Sequence, residues 1–361
     1  MSANANLHKA KDAKNDEFYT QLTDVAKELM HYKAHFRDKI VFCNCDDPTW
    51  SAFWKYFHLN FAELGLKKLI STHYDREEAT YKMEYTGGND NDVEVGVKTP
   101  LEGNGDFRNQ ECMDLLDECD IVVTNPPFSL FREYVAVLMK HEKKFLIIGN
   151  KNAITYKEFF PLLKDDEVWI GCTNVKEFLQ PDGSIKKFGN IGWFTNLDVA
   201  KRHEKLILWK HYTPEEYPKY DNYDAINVDK VSEIPSDYCE SWGVTEEEYN
   251  KLDAAKWEIT RTTGGLHYVI PATGTELRKR MRNHTSDYRE KIEGELYKAI
   301  YLYGIMGTPI TFLDKCNPEQ FEIINPLKCK KDVDKSDTES TILTDRQTIT
   351  PYFRILIGQK M

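Results

Sequence analysis

The stretch DIVVTNPPFSLFREY, residues 120–134, decides how the chain folds. Asp120 to Thr124 is a short β-branched apolar run, the composition of a strand covered on both faces. Asn125, Pro126 and Pro127 then end it, because proline has no N–H to give a ladder and fixes its own φ. From Ser129 to His141 apolar residues recur at helical spacing. A covered strand, a rigid turn and a helix in that order belong to a βαβ unit. The turn of such a unit lies at the carboxyl edge of the sheet, where α/β proteins bind ligands.

Similar runs lie on either side. Lys39 to Cys43, Leu66 to Thr72, Lys144 to Gly149, Glu167 to Gly171 and Asn190 to Thr195 read as strands. Thr49 to Phe61 and Tyr156 to Leu163 read as helices between them. Strands alternating with helices predict an α/β fold with a mostly parallel sheet over residues 39–200. Residues 84–106, with GGNDND and PLEGNGD, read as a turn-rich excursion from it. Residues 1–38 form a polar, Lys-rich tail and approach to the core. Residues 201–303 lose the alternation and carry an acidic helix pattern (Thr245 to Lys256), a Gly-Gly turn and the basic run RKRMRNHTSDYREK (278–291). Residues 304–361 return to strand-like runs at 310–313 and 352–357, and are expected to rejoin the core.

Composition narrows the function classes. The chain has 361 residues, 41% of them hydrophobic and 12% aromatic, which excludes wholesale disorder. With 48 Lys+Arg against 59 Asp+Glu its net charge is −11, so its surface is not a uniform glove for a polyanion. A local basic groove remains compatible with that total, since screening limits each charge to about 10 Å. The eight cysteines lack paired CxxC spacing, which predicts reduced thiols and no metal site. The absence of a long apolar run and of an apolar N-terminal region predicts a cytoplasmic protein with no membrane partner.

The Asn-Pro-Pro-Phe turn has a chemistry of its own. By composition alone such a tetrapeptide arises in roughly one chain of this length in a hundred. A simple strand-ending Pro-Pro turn is the plain alternative. An exocyclic amine on an aromatic ring is a poor nucleophile because its lone pair is delocalised. The Asn125 side-chain oxygen and the Pro126 carbonyl can each accept one N–H of that amine, aiming the lone pair at an electrophile. Pro127 adds rigidity without a competing donor. Phe128 offers a flat face to the ring, a contact worth about 1–3 kcal/mol.

The chain resembles the EcoRI-type adenine-specific DNA methyltransferases. The resemblance rests on HKAK and DEFYTQ (8–21), CNCDDP (43–48), GLKKLI (65–70), GDF (105–107), DIVVTNPPFSLFREY (120–134), KKFLII (143–148) and ITYKE (154–158). It continues through TNLD (195–198), YPKYDNYDAINV (217–228), PITFLDK and NPEQFE (309–322) and PYFRILI (351–357). These blocks run the length of the chain, and carry over least in 239–303. The resemblance implies a class I, Rossmann-like methyltransferase core. It also implies S-adenosylmethionine as methyl donor, S-adenosylhomocysteine as product, and adenine N6 in duplex DNA as acceptor. Asn125, Pro126, Pro127 and Phe128 would be catalytic.

For the cofactor, the usual glycine-rich turn after the first strand is replaced by CNCDDP (43–48). Two carboxylates there repel a pyrophosphate but suit a sulfonium and an ammonium, which makes Asn44 and Asp46 candidates. Asp47 also reads as the cap of the helix that follows, with Pro48 in its first turn. By resemblance, Asp106 and Phe107 lie at the cofactor's adenine, Tyr74 and Asp75 near its ribose, and Phe18, Tyr19 and Thr20 over it, with Asn125 contacting it as well. A loop Asp, an ordinary turn and a helix start capped by Asp16 are the respective plain alternatives. Trp50 and Trp54 read as core.

A base inside a duplex must be swung out before its amine can react, and DNA contacts must supply that energy. Residues 256–291 carry eight basic side chains against four acidic ones. This makes 201–303 the candidate recognition region, with Arg261, Arg278, Lys279, Arg280, Arg282 and Arg289 as candidate DNA contacts. A solvated helix face is the alternative. The expected setting is restriction-modification, with a cognate nuclease as functional partner but not in a stable complex, or an orphan or phage-borne methylase. Rival readings are methyl transfer to RNA or to protein glutamine, and an inactive DNA-binding relative.

Overall fold

A computed structural model describes residues 19–75, 79–180, 184–220, 223–241, 257–261, 267–271, 289–290, 301–303, 305–328 and 353–359. The chain divides into two compact units, residues 1–201 and 202–361.

The first unit is built on nine strands: β1 (Tyr19–Thr20), β2 (Ile40–Cys43), β3 (Lys68–His73), β4 (Tyr81–Tyr85), β5 (Val97–Pro100), β6 (Ile121–Thr124), β7 (Lys144–Asn150), β8 (Trp169–Leu179) and β9 (Ile185–Thr195). Their order across the sheet is β1-β8-β9-β7-β6-β2-β3-β4-β5. Only the central strands β7, β6, β2 and β3 pair in parallel. The sheet is therefore mixed, not mostly parallel. The turn-rich segment 84–106 supplies β5 and completes β4, which extend the sheet antiparallel beyond β3. On the other side β8 and β9 form a long antiparallel hairpin.

The helices of this unit are α1 (Leu22–Leu29), α2 (Ala52–Leu59), α3 (Phe61–Leu64), α4 (Gln110–Glu118), α5 (Phe131–Lys140) and α6 (Phe160–Lys164). The inner positions of the central strands are buried whether apolar or not, so both faces need cover. Val41, Leu69, Val123, Leu146 and Ile148 meet Val25 and Leu29 of α1 and Phe53, Trp54 and Phe57 of α2. Across the sheet, Phe194 packs against Phe131 of α5 and against Phe159, each at 5.1 Å between ring centroids. Each such aromatic contributes about 1.5–3 kcal/mol by leaving water. Gly65, at φ 65°, ends α3 in the left-handed conformation that stops helices and lets the chain turn into β3.

The second unit holds a separate five-stranded sheet. Its order is Lys219–Tyr220, Tyr223–Asn227, Met306–Pro309, Phe353–Gln359, Phe321–Lys328. The described strands of 304–361 thus pair with 219–227 and with one another, and none of them pairs with the large sheet. Their apolar residues find Tyr220, Ala225, Leu327 and Leu356 for a core of their own. The run 310–313 is a 3₁₀ turn and not a strand; the strand is Met306–Pro309, and Pro309 ends it. Trp257–Arg261 pairs with His267–Pro271 and with Arg289–Glu290, in a register that sets Thr260 opposite Arg289. The backbones of Arg261 and Arg289 are therefore close neighbours. Arg278, Lys279, Arg280, Arg282 and the helix expected at 245–256 lie outside the described residues.

Candidate active site

The carboxyl ends of β6, β2 and β3 stand side by side, because the three strands are parallel neighbours. Predicted site residues follow each end directly: Asn125 after β6, Asn44 and Asp46 after β2, Tyr74 and Asp75 after β3.

The turn after β2 closes without glycine. Cys45 itself takes φ 72°, a region that costs an L-residue about 1–2 kcal/mol. Hydrogen bonds on both sides hold it there. Asn44 Oδ1 accepts from the Thr72 hydroxyl at 3.1 Å, and the Ser71 hydroxyl donates to the Asp46 carbonyl. Asp46 is 3% exposed. Its carboxylate accepts from Ser51 Oγ at 3.0 Å and from the Asn125 N–H at 3.2 Å. It also accepts from the Thr124 hydroxyl, which faces the Asn44 carbonyl as well. Burial pushes the Asp46 carboxyl up to about 7; the donors pull it down, and Asp47 adds to the rise.

Asp47 does not cap α2. Ser51 does, accepting from the N–H groups of Phe53 at 3.1 Å and Trp54 at 3.3 Å. The helix begins at Ala52, so Asp47 comes a turn too early to reach its first amides. Instead it accepts from the Thr49 N–H and hydroxyl, at 2.8 and 2.7 Å, and from Tyr81 Oη at 3.0 Å. His73 Nδ1 lies 2.8 Å from its other oxygen.

The segment carrying Asp106 and Phe107 leans on the end of β3. Gly105 has φ 74°, and the Asp75 N–H donates to the Asn104 carbonyl at 3.2 Å. Asp106 is forked by Arg108, whose Nε and Nη2 lie at 2.8 and 2.6 Å. Phe107 is buried, its ring edge-on to Tyr134 at 4.9 Å. Tyr74 remains 37% exposed.

β1 runs along the end of β8, with Tyr19 opposite Leu179. It brings the Tyr19 ring to 3.9 Å from that of Trp50, with 36° between planes. Thr20 is buried, and Phe18 lies outside the described residues. Trp54 is core as expected, but Trp50 is 38% exposed. It stands in the turn ahead of Ser51 and not on the helix, so helical periodicity gave it the wrong neighbours. Asn125 is half-buried and Pro126 buried. Phe128 opens a short 3₁₀ turn before α5 and meets Phe178 and Phe188 edge-on, at 6.1 and 6.2 Å. Those two rings sit on the outer arms of the β8–β9 hairpin, which the sequence reading cut short. Their apolar positions among lysines and glycines were the available signal.

The family model described as adenine-specific methyltransferase EcoRI matches residues 6–303 and 297–360. The chain belongs to that family. It is an adenine-specific DNA methyltransferase. It is 39% identical over 391 aligned residues to the type II methyltransferase M.EcoRI of Escherichia coli, covering 99% of this chain and 98% of that protein. It is 36% identical to M.MpnI of Mycoplasma pneumoniae, across 78% of this chain and 93% of that one. M.MgeORF184P of Mycoplasma genitalium is 35% identical, across 70% and 84%. The chain matches no solved structure. Among the described residues, no helix of this methyltransferase is long and apolar enough to cross a membrane.

Proposed function

We propose that the enzyme transfers a methyl group from S-adenosylmethionine to N6 of an adenine swung out of duplex DNA, on a class I, Rossmann-like core. The observation that carries this reading is the placement of Asn125–Phe128 at the end of a central parallel strand, tied through Asp46 to the neighbouring turn after β2.

The residues of that turn fit a cationic, phosphate-free cofactor. Two of the first amides of α2, those of Phe53 and Trp54, are already taken by Ser51, which leaves the helix start a poorer cradle for a phosphate. Carboxylates at the same edge favour positive groups. Asn44, Tyr74, Asp75, Asp106 and Phe107 would hold the cofactor, with Tyr19 and Thr20 over it, and the Tyr19–Trp50 contact supports that cover. When bound, S-adenosylmethionine supplies the electrophilic methyl carbon.

The chain supplies the rest by position. Asn125 Oδ1 and the Pro126 carbonyl take the two amine hydrogens, and the two prolines keep those acceptors from relaxing. Phe128, braced by Phe178 and Phe188, stacks on the base. Arg261 and Arg289, on paired strands, and Arg278, Lys279, Arg280 and Arg282 hold the DNA backbone. The type II names of the relatives support a role as the modification half of a restriction-modification pair.

The test is Asn125→Ala, followed by labelled methyl incorporation into DNA, RNA and protein. The variant should lose about 100-fold or more of its transfer to DNA while still binding S-adenosylhomocysteine. Undiminished turnover, or label appearing in RNA or protein in place of DNA, overturns the reading.

A further inference from the structure

We propose that Asp46 is a positioning residue for methyl transfer: by holding the Asn125 N–H and the Thr124 hydroxyl, its carboxylate sets where the amine-binding turn stands relative to the turn after β2. The inference rests on Asn125 orienting the amine, as proposed above.

The geometry is specific. Asp46 and Asn125 are 79 residues apart, on turns that leave adjacent parallel strands. Asp46 is also fixed from behind, by Ser51 through its carboxylate and by Ser71 through its carbonyl. A shift of the carboxylate therefore moves Asn125, and the turn carrying Asn44 cannot move independently of the turn carrying Asn125.

The connection depends on a proton. The Thr124 hydroxyl has one hydrogen and two acceptors before it, the Asn44 carbonyl and the Asp46 carboxylate. With Asp46 ionised, the carboxylate accepts from Thr124, Ser51 and the Asn125 N–H, and such charge-assisted bonds are the strong kind. With Asp46 protonated, its O–H can donate to Thr124 Oγ1, which then donates to the Asn44 carbonyl. Asn125 N–H is left facing a neutral carboxyl, a weaker acceptor. The groups around Asp46 are Asp47, which is paired with His73, the Cys43 and Cys45 thiols, and the Tyr134 phenol of α5. Burial pushes both thiols and the phenol upward, so they stay neutral near pH 7. Asp46, held near 7, changes charge in that range.

The experiment measures single-turnover methyl transfer to DNA from pH 5.5 to 9, with amide hydrogen exchange at Asn125. The parent rate should fall on the acid side with a midpoint near 7 and a one-proton slope. Asp46→Asn puts an NH₂ donor among donors; it should lower the plateau by about 10- to 100-fold, abolish that acid limb and speed exchange at Asn125. Thr124→Val should lower the rate with S-adenosylhomocysteine affinity unchanged, and Thr124→Ser should restore it. This pair leaves every charge in place and answers the question even if Asp46→Asn does not fold. A folded Asp46→Asn with the parent's acid limb and plateau, or a Thr124→Val as fast as Thr124→Ser, overturns the proposal. An active Asn125→Ala would instead overturn the amine-binding reading. A dead Asn125→Ala beside parent-like Asp46 and Thr124 variants would sink this inference alone.

Discussion

A β-carbon on Gly105 would stand 2.3 Å from the carbonyl oxygen of His73. No side chain fits there, and φ 74° adds a second objection to any L-residue. Gly105→Ala must push residues 103–107 off the end of β3, breaking the bond between the Asn104 carbonyl and the Asp75 N–H. The left-handed conformation alone costs about 1–2 kcal/mol. The expected outcome is at least tenfold weaker binding of S-adenosylhomocysteine by calorimetry, since about 1.4 kcal/mol is a factor of ten. Unchanged affinity would remove Asp106 and Phe107 from the cofactor site.

Glu28 offers a stability prediction independent of catalysis. It is fully buried on α1. Its carboxylate accepts from the N–H groups of Cys172 and Thr173 at 2.7 and 2.6 Å, from Thr173 Oγ1 at 2.6 Å and from Tyr32 Oη at 3.0 Å. These bonds tie α1 to β8, the strand that carries Phe178 behind Phe128. Glu28→Ala strands two backbone donors, each costing about 1–3 kcal/mol when left without an acceptor. Denaturant unfolding should show a loss of ~3 kcal/mol or more, and Glu28→Gln, which keeps an acceptor, a smaller one.

Asp46 carries a stability cost that depends on pH. Its carboxyl sits near 7 in the folded chain and at about 3.9 in an unfolded one, so the folded state binds the proton more tightly. This contribution favours folding fully below pH ~4 and is lost as pH rises through 7. Asp46→Asn has no such dependence. The unfolding free energy of Asp46→Asn minus that of the parent should therefore rise between pH 5 and 8, and a flat difference would mean the carboxyl titrates normally. The ionised form that sets Asn125 is thus the form that burial opposes.

What the sequence showed and hid follows from which forces are local. The strand at 121–124 was legible because both faces are covered, which demands a β-branched and mostly apolar run. β4 and β5, YKMEY and VKTP, were not, because they are outer strands with solvated positions, and the glycines and asparagines between them looked like loop. Asn44, Asp46 and Asn125 could be nominated because strand ends in α/β sheets gather ligands. The bond between Asp46 and Asn125 could not, since it requires knowing that β2 and β6 are neighbours. Asp47 lost the capping role to Ser51 for a reason of one turn: the helix starts at Ala52, and the residue just before the first helical position caps it. The second unit's sheet was hidden because its strands come from segments about 80 residues apart, each with an apolar run too short to name its partner.

The basic run at 278–282 is tested by its salt dependence. Each phosphate contact releases counterions, and the slope of log K against log salt falls by about 0.9 for every contact removed. Changing Arg278, Arg280 and Arg282 together to Glu should weaken binding to any duplex and flatten the slope by about 2–3 if all three touch phosphates. Binding of S-adenosylhomocysteine should not change, because the residues proposed to hold it lie between 19 and 125. Arg261→Ala and Arg289→Ala, on paired strands, separate positioning from reading: a phosphate contact lowers affinity equally for all sequences, while a base contact costs about 1–3 kcal/mol at one position only. A parent-like salt slope in the triple variant would place the DNA surface elsewhere.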